Sequence, residues 1–277
     1  MAEALDAEIV NADALQVYSG LNVLTARPSE ADILCVPHHL YGHIDPATPY
    51  STGQWAREAM AAIEDIAARG RRALLVGGTG LYFRSLFDGI AHIPDPGEAA
   101  RDSARSLLSD ARLLDEAERL DPVATARLEA PDPQRLMRIV SVALGTGKPL
   151  SAWWADTLPL VPDFAAVVVE VPRDRLYARI EARFDRMLEA GAMAEAEALA
   201  HLDPALPALK AIGVGHLLAA ARGEMELSEA VELSKRDTRR LAKRQGTWFR
   251  NQHGDWPRVG ADATVDAVVA ALESAAP

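Results

Sequence analysis

Residues 73–87 read ALLVGGTGLYFRSLF. Ala73–Val76 is an apolar run of strand length, Gly77, Gly78 and Gly80 follow at once and permit a tight turn, and the text beyond is patterned as a helix. A second unit of this kind begins with Ala165–Val171, AAVVVEV, read as a buried strand. After Pro172 comes a long helix, DRLYARIEARFDRMLEAG, with Gly191 as its C-cap. Strands that hand over directly to helices build a parallel sheet covered on both faces, so an α/β fold is expected. The opening, AEALDAEIVNADALQVYSG, adds the tail of a helix, a short strand around Ile9 and Val10, and a loop.

Between these units, Pro94–Trp154 carries almost no strand signal and reads as short helices broken at Asp95-Pro96, Asp121-Pro122 and Asp132-Pro133. The simplest organisation is an α/β core of residues 1–93 and 159–277 with a helical insertion at 94–158. From Lys210 onward the text is helical, with loops near Gly223 and Gly254. The 277 residues suffice for a sizeable core, and 49% hydrophobic with 25% charged residues excludes a mainly disordered chain. Uncharged runs such as Ile33–Ile44 fall well short of the roughly 20 apolar residues of a membrane span. The first residues, MAEALDAE, carry three acids and no base, unlike a signal or transit peptide. One cysteine, Cys35, forms no internal disulfide and, set between apolar neighbours, is expected to be buried and inert; a reducing cytoplasm suits such a chain.

Charge is partitioned. The net charge is −11, yet Lys235–Arg250, KRDTRRLAKRQGTWFR, holds seven bases and one acid, leaving −17 on the remainder. Arg236, Arg240 and Arg244 form one helical row and Lys235, Arg239 and Lys243 the next, with Leu241 and Trp248 pointing the other way. Such a helix can dock by its apolar back and offer its basic sector to a nucleic-acid backbone; with one acid against seven bases, an ordinary solvated face is the weaker reading. DPQRLMR at Asp132–Arg138 is a second small basic element. In the helix after Pro172, Arg175, Arg179 and Arg183 recur every fourth residue opposite an apolar stripe of Leu176, Ile180, Phe184 and Met187. This is either a solvated basic stripe or an anion clamp. Asp13 follows the first strand, where open α/β sheets bind ligands, though a turn or cap role is the more ordinary one for a lone Asp in a loop. GGTG can bring backbone amides to an anion but fits neither the dinucleotide fingerprint nor GxxxxGK[ST]. His38, His39 and His43, with Asp45, lie in a Pro-containing loop without a cysteine and are read as hydrogen-bond partners rather than metal ligands.

Several strings then occur in family order: IVNADALQVYSGLNVLTARPS, PHHLYGHIDP, YSTGQW, LLVGGTGLYFRSL, DPVATARLEAPDPQRLMR, RIEARFDRML and LAKRQGTWFR. Together they resemble the tRNA dimethylallyltransferases, over nearly the whole chain. The resemblance implies prenylation of the N6 amine of the adenosine 3′-adjacent to the anticodon, with dimethylallyl diphosphate as donor, Mg²⁺ as cofactor, tRNA as partner, a monomer in the cytoplasm, and no membrane. It implies a P-loop NTPase-like parallel-sheet core, an inserted all-helical subdomain and a helical C-terminal region. Asp13 resembles the general base, Thr79 a contact to the target nucleotide, and Arg183 the residue that binds the diphosphate. Ala14, Leu15 and Gln16 would line the tRNA-facing loop. Gln134, Arg135, Leu136, Met137 and Arg138 resemble tRNA contacts in the insertion, and so do Lys243, Arg244, Gln245 and Gly246, continuing through Thr247, Trp248, Phe249 and Arg250.

The chain departs from that pattern at its start. The family's first strand and its GPTxxGKS-type phosphate loop are missing, because MAEALDAEIV aligns with the helix that follows them. An in-frame phosphate loop is therefore expected upstream of Met1. The alternative from another class is a catalytically silent tRNA-binding protein, or a truncated fragment of the enzyme. A small-molecule kinase would share the sheet but not explain DPQRLMR or the Lys235–Arg250 helix.

Overall fold

The computed structural model describes residues 1–275. The chain enters through one helical turn, in which Leu5 N–H donates to Met1 O at 3.0 Å, and leads into β1 (Ala7–Ala12). It continues through α1 (Glu30–Cys35), β2 (His38–His39), α2 (Thr52–Ala68), β3 (Arg72–Gly77) and α3 (Gly80–Phe87). β1 is the middle strand of a three-stranded parallel sheet of order β2-β1-β3. Its register with β3 runs from Ala7 opposite Arg72 to Ala12 opposite Gly77. Val10 and Ala12 are fully covered, as the middle strand of a parallel sheet requires. β3 lies at the sheet edge and is covered only in part, with Val76 45% exposed. Ser51 and Gln54 cap α2 reciprocally, and that cap sets Trp55 into the core, where its indole N–H donates to Asn11 O at 2.9 Å and its ring stacks on Tyr82.

The chain folds as two compact units, Met1–Phe83 with the chain from Val161 on, and Arg84–Leu160. The second unit is thus larger than the insertion at 94–158 that the sequence suggests. It contains α4 (Glu98–Ser109), α5 (Leu113–Leu120), α6 (Pro122–Ala126), α7 (Pro133–Thr146) and a 3₁₀ stretch at Leu150–Asp156. Two of the three Asp-Pro pairs start helices rather than merely break them. Asp121 accepts from Ala124 N–H, Asp132 accepts from Arg135 N–H, and each following Pro occupies the first helical turn, where a missing N–H costs nothing. Leu113, Ala117, Leu136, Ile139 and Val140 form the core of this unit.

The first unit resumes with β4 (Val168–Glu170), α8 (Arg173–Glu189), α9 (Ala192–Ala198), a 3₁₀ turn at Pro207–Lys210, α10 (Val214–Ala221), α11 (Leu227–Gln252), β5 (Arg258–Gly260) and α12 (Val265–Ser274). Three expectations need correction here. Ala165–Val171 is not a buried strand of the main sheet. Only Val168–Glu170 is extended, it is largely exposed, and it pairs in parallel with β5 in a separate two-stranded sheet. β5 itself is too short to announce itself in a helical-looking tail. Cys35 is exposed rather than buried, because α1 buries no residue at all and leaves its neighbour Leu34 87% exposed. The long helix fits its reading: Ile180, Phe184 and Met187 are buried, and Gly191 follows its end at φ 99°, the left-handed region that glycine tolerates.

Candidate active site

The parallel register of β1 and β3 ends with Ala12 beside Gly77, so Asp13 and the turn Gly78–Gly80 leave the sheet side by side. A Cβ on Gly77 would stand 2.2 Å from the Ala12 carbonyl, backbone that cannot yield. The two segments are then laced together. Thr79 N–H donates to Ala12 O at 3.1 Å, and Ala14 N–H donates to Thr79 Oγ1 at 2.9 Å. Asn11, fully buried, grips Asp13 from both sides: its Oδ1 accepts Asp13 N–H at 2.8 Å and its Nδ2 donates to Asp13 O at 3.0 Å and Leu40 O at 3.0 Å. The Asp13 carboxylate accepts Leu15 N–H at 2.8 Å and Gln16 N–H at 3.3 Å, both on Oδ1. Oδ2 carries no hydrogen bond among the described residues. Asn11 was not legible as a site residue; its only signal is a polar side chain following the apolar pair Ile9 and Val10.

Arg183, on α8, is close enough to feel the charge of Asp13. It makes no ion pair among the described residues. The residue is exposed; partial desolvation lowers its pKa, the negative field of Asp13 works the other way, and Arg186 adds to the lowering. Two phenols share this field. Burial, reinforced by the Asp13 charge, pushes Tyr41 up to about 12, and burial raises Tyr82 with Tyr18, Asp13 and Glu58 contributing. Both hydroxyls therefore keep their protons at neutral pH. The arrangement offers one half-coordinated carboxylate, one cation without a carboxylate partner in ion-pair range, and neutral donors.

The basic sector of α11 is less open than its sequence implies. Lys235 is buried, with its ammonium 2.7 Å from Asp185 and 3.7 Å from both Glu181 and Glu232. Arg239 pairs with Glu181, and Arg240 with Asp237 at 3.3 Å. Two of the balancing acids, Glu181 and Asp185, come from α8, far away in sequence, beside Glu232 and Asp237 of α11 itself, so the expectation that one acid must offset seven bases is corrected. Glu181 and Asp185 flank Arg183 in the chain but face α11. Lys243, Arg244 and Arg250 stay exposed and make no ion pair among the described residues, and Gly246 and Thr247 share their exposure. Gln245, Trp248 and Phe249 turn inward. Gln245 Nε2 donates to Gly78 O at 3.0 Å, the Trp248 ring fills the space a Cβ on Gly80 would need, and Phe249 meets Phe83 edge to face. Two glycines of GGTG are thus explained by α11 lying against the turn.

In the second unit, Gln134, Arg135 and Arg138 are exposed along α7, Met137 is half-buried, and Leu136 sits in the core at 4% exposure. The histidines hydrogen-bond. His39 Nε2 lies 2.6 Å from Glu8, His43 Nε2 2.8 Å from Glu58, and His38 Nδ1 2.7 Å from Val36 O. No group of three or more His, Cys, Asp or Glu side chains fit to hold a metal occurs among the described residues.

The family model for IPP transferase matches residues 16–252. The chain belongs to the IPP transferase family. It is 51% identical to the tRNA dimethylallyltransferase of Maricaulis maris (strain MCS10), over 98% of this chain and 92% of that one. It is 48% identical to the tRNA dimethylallyltransferase of Caulobacter sp. (strain K31), over 94% and 86%. Among solved structures of IPP transferases, the full-length tRNA isopentenylpyrophosphate transferase of Bacillus halodurans superposes with a TM-score of 0.68 at 29% identity, covering 99% of this chain and 90% of that one. A eukaryotic dimethylallyltransferase acting on tRNA superposes with a TM-score of 0.78 at 25% identity, covering 94% and 69%. The α/β core with a small parallel sheet and many helices is therefore the IPP transferase fold.

Proposed function

We propose that this chain prenylates tRNA, transferring a dimethylallyl group from dimethylallyl diphosphate to the N6 amine of the adenosine 3′-adjacent to the anticodon. The family membership supports tRNA prenylation. What supports carrying the chemistry to residues is Asp13, with one carboxylate oxygen free of hydrogen bonds, together with Arg183, an exposed cation that feels the Asp13 charge and has no carboxylate in ion-pair range among the described residues. The N6 nitrogen attacks C1 of the allyl group as the C–O bond to diphosphate breaks. Asp13 takes the amine proton, and Arg183 stabilises the charge that moves onto the departing diphosphate. Tyr41 and Tyr82, protonated at neutral pH, furnish a donor wall that does not compete for that proton. Thr79 holds the Asp13 loop through Ala14 N–H and keeps its own O–H free to donate to the target nucleotide.

A Mg²⁺ fits this donor set only as a passenger of the diphosphate, since the site supplies one carboxylate and no cage; when bound it would offset leaving-group charge. tRNA binding is assigned to the exposed cations Lys243, Arg244 and Arg250, with Gly246 and Thr247, and to Gln134, Arg135 and Arg138 of the helical insertion at 94–158, which Leu136 and Met137 support from beneath. Ala14, Leu15 and Gln16 line the tRNA-facing loop. Gln245, Trp248 and Phe249 act by seating α11 on the GGTG turn. No helix among the described residues is long and apolar enough to cross a membrane. A monomer in the cytoplasm, where tRNA is found, completes the assignment. The test is transfer of labelled dimethylallyl from its diphosphate to unmodified tRNA with Mg²⁺ present. Label appearing at that adenosine supports the assignment; tight tRNA binding without transfer would favour a silent binding protein.

A further inference from the structure

We propose that Glu195 is a positioning residue for prenyl transfer: its carboxylate holds the turn Asn22–Leu24 and, through that turn, fixes Gln16 and the Asp13 loop. Three successive backbone amides converge on this one side chain. Asn22 N–H and Val23 N–H donate to Oε2 at 2.7 and 2.8 Å, and Leu24 N–H donates to Oε1 at 2.8 Å. Consecutive amides of this kind form a concavity that binds anions, and here a helix of the same protein fills it. Hydrogen bonds to a charged acceptor are roughly twice as strong as neutral ones, so three of them define the turn far better than its own loop contacts would. The chemistry described above does not use Glu195.

A second set of bonds links the turn to the site. Gln16 Nε2 donates to Thr25 O at 2.9 Å and Ala26 O at 3.5 Å, and Gln16 N–H donates to Asp13 Oδ1 at 3.3 Å. The Leu24 side chain, one residue before Thr25, and the Phe184 ring both lie against Gly213, within 3.0 and 3.3 Å of where a Cβ would stand there. Phe184 is the neighbour of Arg183 on α8. The turn held by Glu195 therefore touches the supports of both the base and the diphosphate clamp. A displacement of about 1 Å at such a support is enough to slow a reaction about a hundredfold without removing any reacting group.

This inference rests on the assignment of Asp13 and Gln16 to tRNA prenylation, and the experiment separates the two. Steady-state kinetics with unmodified tRNA and dimethylallyl diphosphate, normalised to folded protein, compare wild type with Glu195→Gln, Glu195→Asp and Glu195→Ala. Glu195→Gln keeps the shape but loses the charge and turns a donor toward an amide. The expected result is kcat lowered about tenfold or more in Glu195→Gln and Glu195→Ala, KM for dimethylallyl diphosphate within about twofold of wild type, and partial rescue by Glu195→Asp, which keeps the charge. Combining Glu195→Gln with Gln16→Ala is expected to slow transfer little beyond the slower single variant, because both act through one turn. Wild-type kcat per folded molecule in Glu195→Gln, or fully multiplicative effects in the double variant, would overturn the proposal. If wild type itself transfers nothing to tRNA, the assignment of function fails instead.

Discussion

Two carboxylates carried by β1, Glu8 within the strand and Asp13 just past its end, are treated in opposite ways. Glu8 is 4% exposed and saturated: Arg69 reaches it at 2.7 Å, His39 at 2.6 Å and Arg71 at 3.4 Å. Burial alone would raise its pKa, but the hydrogen bonds and charges of Arg69 and His39 outweigh that and hold it below the usual carboxylate range. Asp13 spends one oxygen on two loop amides and has no ion pair among the described residues, although Arg183 lies within its field. A saturated carboxylate can neither take a proton at neutral pH nor release its partners without loss of stability. A half-coordinated one is held in place and still has an oxygen to work with. The same logic separates the cations: Lys235 and Arg239 lock α11 to α8, whereas Arg183 makes no ion pair among the described residues.

That contrast can be broken at several points. The largest effect is expected from Arg183→Gln, which should lower kcat by about 10²–10³ and leave tRNA affinity and thermal stability near wild type, since the α8 core and its pairs with α11 are untouched. Single-turnover transfer rates beside tRNA binding would show this, and a fall in stability equal to that of a core variant would count against it. Glu8→Gln should do the reverse. It should lower stability by about 1–3 kcal/mol by leaving Arg69 and Arg71 without their common acceptor, while transfer per folded molecule is unchanged. The pH dependence has a definite sign. Because the folded pKa of Glu8 is depressed, its stabilisation is complete above the ordinary carboxylate range and is lost as pH falls through the lower folded value. Melting temperatures between roughly pH 7 and pH 3 should fall less steeply in Glu8→Gln than in wild type. The smallest effect belongs to Lys243→Gln: tRNA affinity weakened only modestly, and the slope of log affinity against log salt reduced by about one. The buried cation at the other end of the same row offers the contrast, since Lys235→Met should leave that slope unchanged.

The glycine turn at 77–80, the long helix with its buried stripe of Ile180, Phe184 and Met187, and the helical character of the stretch from Glu98 to Thr146 were legible because each is written in local periodicity and turn chemistry. So was the place of Asp13 at the carboxyl end of a strand. What escaped was long-range. The pairing of Val168–Glu170 with Arg258–Gly260 depends on two short segments meeting from distant parts of the chain, and no local pattern encodes it. The neutralisation of Lys235 and Arg239 depends on which face of α8 turns toward α11. The exposure of Cys35 depends on α1 having nothing packed over it. Asn11, Tyr41 and Glu195 were silent for the same reason: their roles lie in hydrogen bonds and fields from residues distant in sequence, and their own neighbours in the text are unremarkable.

The most direct measurement is single-turnover dimethylallyl transfer to unmodified tRNA by Asp13→Asn and Glu8→Gln side by side, with rates expressed per folded molecule. Asp13→Asn keeps the Oδ1 acceptor for Leu15 and Gln16 and loses only the base, so it should bind tRNA and transfer at least about a hundredfold more slowly. Glu8→Gln should transfer at the wild-type rate from a less stable fold. Transfer by Asp13→Asn at the wild-type rate would contradict the account.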